Sequence, residues 1–251
     1  MTGDVDYDQT GTGYGRQRRA DPRIAARIHA ALGDARTVLN VGAGAGSYEP
    51  ADRYVLAIEP SAVMRAQRPE GGGVAVRAFA EALPFDDGAF DAAMAVATVH
   101  QWADLAKGLA ELRRAARGPV AVLLFDGPAL DRFWLKAYAP ELIAAEQRRY
   151  PALDAVAAGL GGRVEVQDVP IPIDCTDGFT EAFYARPERL LEADVRRAQS
   201  SWGFVPDGAE ARFVRTLSDD LASGRWDERY GDWRERPTYE GSLRLIVSRP
   251  G

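Results

Sequence analysis

The sequence predicts an α/β fold, a mostly parallel sheet with helices on both faces, and three observations carry that prediction. Short apolar runs alternate with helix-period stretches between residues 37 and 125. The first run, Thr37-Val38-Leu39-Asn40-Val41, enters a loop with glycines at 42, 44 and 46. Lacking a Cβ, these allow a sharp turn and a close approach to a ligand. The second run, Tyr54-Val55-Leu56-Ala57-Ile58, ends on Glu59, a carboxylate suited to accept from two ribose hydroxyls. Parallel sheets bind ligands at the carboxyl ends of their strands, so this order points to an adenosine-containing ligand.

Residues 1 to 15 are polar and glycine-rich. Tyr7 and Tyr14 lie in this arm as candidates for folding over a bound molecule, against the plainer reading of a mobile tail. Asp21-Pro22 caps a helix running to Leu32, stopped at Gly33, with Ile24, Ile28 and Leu32 as its apolar stripe. His29 flanks that stripe and reads as structural. Only Ser47 to Arg53 separate the glycine loop from the second strand, and Pro50 falls among them, so no full crossover helix fits there. Dinucleotide sites rest a pyrophosphate on the N-terminus of such a helix. A ligand without phosphates suits this loop better.

Further along, Ser61 caps a short helix ending near Arg68-Pro69, and the glycines at 71 to 73 turn the chain into a third strand, Val74 to Ala78. A fourth strand, Ala92 to Ala97, runs out into His100-Gln101-Trp102, and Asp91 at its start reads as a turn residue. Ala103 to Arg117 forms a helix with Leu105, Leu109 and Leu112 on one face. Val120 to Phe125 is a fifth, buried strand ending at Asp126.

The 251 residues carry a net charge of −6, a balance that disfavours a nucleic-acid partner. The single cysteine, Cys175, makes no intrachain disulfide, and with only two histidines no metal-ligand spacing is present, so no metal is expected. Neither a charged-then-apolar leader nor an apolar run of membrane-spanning length is seen, so a cytoplasmic protein without a membrane partner is expected. Nothing in the sequence fixes the oligomeric state.

Four ordered segments now resemble the class I S-adenosylmethionine-dependent methyltransferases, and among them the subgroup with an E-x-L-P-F loop after the third strand. They are Val38 to Gly46, Ile58-Glu59-Pro60-Ser61, Ala80-Glu81-Ala82-Leu83-Pro84-Phe85 with Phe90-Asp91, and Val99-His100-Gln101-Trp102. The resemblance implies a Rossmann-like, doubly wound, mostly parallel seven-stranded sheet with an antiparallel last strand, and S-adenosyl-L-methionine as cofactor. It puts Asn40, Gly42, Ala43 and Gly44 against the methionine part and Glu59 on the ribose. Pro60, Ser61, Met64, Ala80 and Glu81 fall near the adenine, and Thr98 and His100 where cofactor meets acceptor. Two positions depart from the family pattern. Residue 40, usually acidic, is Asn, and residue 79, often Asp in the subgroup, is Phe.

His100 has two readings, a base that takes the acceptor's proton or a residue that hydrogen-bonds the backbone at a helix start. Methyl transfer from a sulfonium is an in-line displacement from an activated donor, so positioning the acceptor can supply most of the catalysis. Trp102 reads as packing or as a pocket wall facing the sulfonium.

In the C-terminal half, Ala129 to Tyr150 reads as one long helix, followed by Leu153 to Leu160, a strand from Arg163 to Val169 and a last strand from Leu243 to Val247. Pro170 to Gly241 is too long for a simple connection. The expected layout is one domain: an N-terminal arm and helix (1–33), a core sheet (34–169 and 242–251) and a helical insertion (170–241) that forms a lid. Phe179, Phe183, Tyr184 and Trp202 are the insertion's candidates for the substrate pocket, against core packing as the plainer role of each. Phe183 joins Tyr7, Tyr14, His100 and Trp102 in the expected substrate site. Trp226, Tyr230 and Trp233 read as a lid surface or contact region. The expected activity is methyl transfer to an O, N or C atom of a small molecule, in specialised metabolism. A non-methylating use of the cofactor and a non-catalytic cofactor-binding protein are the rivals.

Overall fold

The computed structural model describes residue 5, residues 7–11 and residues 17–251. Tyr14 lies outside the described residues.

A seven-stranded sheet forms the centre, with the strand order β3-β2-β1-β4-β5-β9-β6. Its strands are β1 (Thr37–Val41), β2 (Tyr54–Ile58), β3 (Ala75–Val76), β4 (Ala92–Val96), β5 (Val120–Phe125), β6 (Arg163–Asp168) and β9 (Leu243–Arg249). β1 to β5 pair in parallel, while β9 runs antiparallel to both β5 and β6. The sheet is therefore the Rossmann-like arrangement with an antiparallel last strand. A separate antiparallel ribbon joins β7 (Ile171–Pro172) to β8 (Thr238–Tyr239) and closes the base of the insertion.

The period-two alternation of the strands sorts their side chains into two cores. Val38, Met94, Ala121 and Leu123 face one side, where the helix Pro22–Ala31 lays down Ile24 and Ile28 and the following Leu32. Leu39, Ala93, Val120, Val122 and Leu124 face the other, against Leu109 and Leu112 of the helix Leu105–Ala115 and Val156 and Leu160 of the helix Leu153–Leu160. Asp21 caps the first helix as expected, accepting from the Arg23 backbone. His29 is structural, its Nε2 lying 2.9 Å from the Tyr48 carbonyl. No helix intervenes between β1 and β2, where Gly42 to Tyr48 form a succession of turns.

Three expectations need correction. The long helix from 129 to 150 is broken into two 3-10 turns, Gly127–Arg132 and Trp134–Ala137, and an α-helix, Pro140–Arg149. Pro140 is the cause: the residue before a proline avoids the helical region, and Ala139 sits at φ −137°, ψ 62°. The third strand shortens to two residues. Trp226 is no lid surface, since it is fully buried, edge-on to Trp134 at 5.3 Å. Gly224, at φ +81°, ends the helix Ala209–Ser223 and turns the chain so that the indole points inward. Trp134, Phe213 and Trp226 thus belong to the same core as β1 and β4. Among the described residues no helix is long and apolar enough to cross a membrane.

Candidate active site

The loops at the carboxyl ends of β1, β2, β3 and β4 surround one cleft of about 210 Å³. Every residue assigned above to the cofactor, from Asn40 to Thr98, lines it, as do Tyr7 and Trp102. At its floor Gly42 N and Ala43 N both donate to the Ile58 carbonyl, at 2.8 and 3.0 Å, which folds the glycine loop back over β2. Gly42 sits at φ +71°, and a Cβ there would lie 2.1 Å from Thr98 Oγ1. No side chain fits between β1 and the end of β4.

Glu59 is buried, with one carboxylate oxygen accepting from Gly44 N and the other from Ser61 N, each at 2.8 Å. Burial pushes its pKa up, against the pull of those two amides. Each oxygen keeps a second lone pair for a ligand hydroxyl. Ser61 caps the short helix Ala62–Ala66 through Met64 N at 3.1 Å, as the sequence predicts.

Asn40 is 1% exposed; its amide nitrogen donates to Glu49 Oε1 at 2.9 Å, and Arg68 holds Glu49 from the other side at 2.7 Å. The acidic charge expected at residue 40 stands nine residues later, neutralised by an arginine. Asn40 Oδ1 is buried and finds no hydrogen-bond partner among the described residues. The Gln101 amide, also on the cleft wall, is buried and unpartnered at both its atoms. Such groups are costly to leave unsatisfied, and both residues border the cleft. A cationic, phosphate-free nucleoside fits this set: acceptors at Asn40 and Glu59, a glycine cradle, and no crossover helix to receive a pyrophosphate.

The wall carrying Ala80 and Glu81 is braced from behind. Leu83 N donates to Glu111 Oε2 at 2.9 Å, and Arg114 reaches the carbonyls of Leu83 and Phe85 together with Glu111 and Asp87. Glu81 accepts from Asp104 N at 3.1 Å. Phe79 is 39% exposed on the cleft wall rather than in the core. From the N-terminal side, the turn of helix Tyr7–Thr10 brings Asp8 onto Ser61 Oγ at 2.6 Å, so Tyr7 closes over the cleft.

Beyond the end of β4 the cleft opens into a smaller polar lobe of about 40 Å³, with Tyr7, Arg18, Ala97, Phe125 and Phe179 on the shared wall. Ala97, at φ +50°, turns the chain between the two, and strain of this kind gathers at functional sites. His100 lines this lobe and not the larger cleft, its ring edge-on to Tyr150 at 5.4 Å. Phe183 lines neither. It is buried in the core beneath the guanidinium of Arg186, because packing takes its apolar ring out of water and leaves the lobe to Thr180 and Glu181 of the same 3-10 turn.

Sequence reasoning missed Glu146, Thr180, Glu181 and Gln199, which line the lobe. Their spacing carries no local motif, and Glu146 was hidden in what read as an unbroken helix. Arg18 was missed too. It pairs with Asp177 at 2.7 Å, and Tyr48 donates to the same carboxylate, tying the N-terminal segment to the insertion across the cleft. Among the described residues no His, Cys, Asp and Glu cluster could hold a metal ion.

A family model described as a methyltransferase domain matches residues 39–121, the span that builds the cleft. No curated protein matches the chain. Among solved structures, one titled as a methyltransferase from an antibiotic biosynthesis pathway of Anabaena variabilis is 29% identical, with a TM-score of 0.86 over 92% of this chain and 98% of that one. An S-adenosylmethionine-dependent methyltransferase of Thermotoga maritima is 16% identical, with a TM-score of 0.57 over 98% of both chains. Geranyl diphosphate C-methyltransferase of Streptomyces coelicolor, solved with S-adenosyl-L-homocysteine, is 14% identical, with a TM-score of 0.51 over 90% of this chain and 75% of that one. These last two likenesses speak for the fold alone. The sheet order, the glycine loop, the methyltransferase-domain match over residues 39–121 and the Anabaena likeness together support an S-adenosylmethionine-dependent methyltransferase on the class I fold.

Proposed function

We propose that this enzyme methylates an O, N or C atom of a small-molecule acceptor in specialised metabolism. The observation that carries the reading is the pairing of one large cleft with one small polar lobe, joined at the end of β4. The cofactor supplies an activated methyl group on a positively charged sulfur. Gly42, Ala43 and Gly44 admit its methionine part, and the Asn40 carbonyl oxygen accepts from the amino group there. Glu59 accepts from the ribose hydroxyls. Pro60, Ser61, Met64, Ala80 and Glu81 enclose the adenine, with Phe79 offering a ring face.

Thr98 marks the methyl end, and His100 beyond it orients the acceptor. Tyr7 and Trp102 wall the path between. The lobe's size argues for an acceptor that inserts one functional group rather than a polymer chain. The net charge of −6 agrees with an acceptor other than nucleic acid. The likeness to the Anabaena protein, described as a methyltransferase from an antibiotic biosynthesis pathway, supports the metabolic setting. The segment 170–241 acts as a lid through Asp177 and Phe179, which reach the cleft wall, while Phe183, Tyr184, Phe213 and Trp226 pack into the core it shares with the sheet.

Calorimetry with S-adenosyl-L-homocysteine tests the cofactor half, with micromolar binding expected. A methyl-labelled cofactor incubated with a small-molecule library tests the rest. Label recovered in a product supports the reading. Cofactor turnover without label transfer, or no binding of cofactor or product, overturns it.

A further inference from the structure

The polar lobe holds more chemistry than a place to park an acceptor. Glu146 projects from the helix Pro140–Arg149 and is 3% exposed, yet it lines the lobe. Thr180 Oγ1 donates to its Oε1 at 2.6 Å, and Ser201 also hydrogen-bonds it. Ser201 in turn accepts from Arg149 Nη1 at 2.8 Å. The second buried carboxylate of the lobe, Glu181, has a structural occupation. Ser242 donates to it from both its backbone nitrogen, at 2.9 Å, and its hydroxyl, which stitches the insertion to the start of β9. The two carboxylates therefore differ: one is consumed by the fold, and the other is held by hydroxyls that swivel.

An independent feature points to a ligand. Gln199, 5% exposed, fixes its Oε1 on the Trp202 indole nitrogen at 3.3 Å, while its buried Nε2 finds no partner among the described residues. Anchoring the oxygen decides which way the amide faces, so the lobe presents a donor from Gln199 and an acceptor from Glu146. Leaving a buried N–H unpaired is unfavourable, and the lobe is where a ligand oxygen can satisfy it. A purely apolar acceptor would strand both groups.

We propose that this lobe seats the reacting end of the acceptor, which offers a hydroxyl or amine to Glu146 and a hydrogen-bond-accepting oxygen to the Gln199 amide, and that Glu146 takes the acceptor's proton. The proposal rests on the methyl-transfer reading above and names its substrate class: small molecules with a hydroxyl or amino group close to a second oxygen. In the reaction the acceptor heteroatom's lone pair forms the bond to the methyl carbon. The sulfur–methyl bond breaks with its electron pair left on sulfur, which becomes a neutral thioether. The acceptor's proton passes to a carboxylate oxygen of Glu146. Burial raises the Glu146 pKa to about 7, with Glu181 adding to the rise and Arg149 opposing it. A carboxyl in that range is half ionised at neutral pH and returns its proton to solvent readily.

The test uses the complex of the full chain with S-adenosyl-L-homocysteine, titrated with ethanolamine, glycolamide and catechol, with toluene as the apolar control. Binding is read by saturation-transfer NMR and by Trp202 emission. The wild-type complex is expected to bind at least one polar probe in preference to toluene, with a shift in indole emission. Glu146→Gln and Gln199→Leu should each weaken that probe at least tenfold while leaving S-adenosyl-L-homocysteine affinity within twofold. Should Glu146→Gln fail to fold, Gln199→Leu and Thr180→Val carry the same comparison. If no polar probe binds, or the variants bind it as the wild type does, the lobe assignment falls while the methyl-transfer reading stands. Failure of the wild type to bind S-adenosyl-L-homocysteine overturns both, and is recognised before any probe is added.

Discussion

The cofactor cleft and the polar lobe are neighbours built in opposite ways. The cleft is built mainly from the ends of consecutive strands, so the residues assigned to the cofactor fall in short motifs between positions 40 and 98. Tyr7, Arg18, Asp177 and Phe179 reach its wall from elsewhere in the chain. The lobe is assembled from Ala97, His100, Glu146, Thr180 and Gln199, which only the folded insertion brings together. One region uses backbone geometry, glycine conformations and amides to shape itself. The other uses buried side chains whose protonation and pairing await a partner. A fold can thus keep one site constant while the other varies with the elements packed above it, because the sheet's second core does not depend on the insertion.

The largest expected effect lies in the cleft. Gly42→Ala adds a Cβ at φ +71° within 2.1 Å of Thr98 Oγ1, so either the loop or the end of β4 must move. Affinity for S-adenosyl-L-homocysteine should fall on the order of a thousandfold by calorimetry. Retained affinity would break the claim that backbone geometry builds this site.

Next comes the lobe, where the effect is on stability and depends on pH. In the unfolded chain Glu146 returns to the usual 4.5, whereas in the fold it titrates near 7. The folded state therefore binds more protons between those values. The stability carried by the neutral carboxyl is complete below about pH 4.5 and is lost as pH rises through about 7. Glu181, Arg149, Tyr150, His100 and Arg18 face the same space and set the local field. Glu146→Gln, which stays neutral, should match the wild type near pH 4 and exceed it by on the order of 2 to 3 kcal/mol at pH 8 in urea melts. A pH-independent difference would mean that Glu146 is not a buried titrating group.

The third test returns to the cleft. Glu59→Gln replaces one of two acceptor oxygens with a donor facing Gly44 N or Ser61 N. Affinity for S-adenosyl-L-homocysteine should fall about thirtyfold, with the loss absent for a cofactor analogue lacking both ribose hydroxyls. An equal loss for both compounds would assign Glu59 to loop shape rather than to the ribose.

How much was legible follows the same division. Strand alternation and caps such as Asp21 and Ser61 are local, and each strand before residue 126 falls within a few residues of its expected place. The cleft was legible because its residues are adjacent in sequence to the strands that place them. Asn40 looked like a lost charge because its partners, Glu49 and Arg68, meet it only in three dimensions. Phe183 looked like a pocket residue because an aromatic in a lid can face either way, and only packing chooses. The helix over 129 to 150 failed for a local reason that was present in the sequence: Pro140 forbids Ala139 a helical conformation. Glu146, within that stretch, gave no signal, since burial of a carboxylate has no local signature.

The smallest effect separates the two ends of the sheet. Asp91, at the amino end of β4, accepts from the backbone nitrogens of Arg36 and Thr37, each at 2.9 Å, and pairs with Arg117. It is thus a clamp on the start of β1 as well as a turn residue. Those amides, first Thr37 and then Arg36, hold its pKa down at about 2. The ionised carboxylate is favoured in the fold, so its contribution is present above the usual 3.8 and is lost as pH falls through about 2. Asp91→Asn should therefore lower the melting temperature modestly at pH 7, with the gap to the wild type closing as pH approaches 2. Its affinity for S-adenosyl-L-homocysteine should stay at the wild-type value, because the cleft lies at the opposite, carboxyl end of the same strands. A loss of affinity matching the loss of stability would mean that the clamp at one end of β1 sets the glycine loop at the other. The cleft would then share the long-range dependence that distinguishes the lobe.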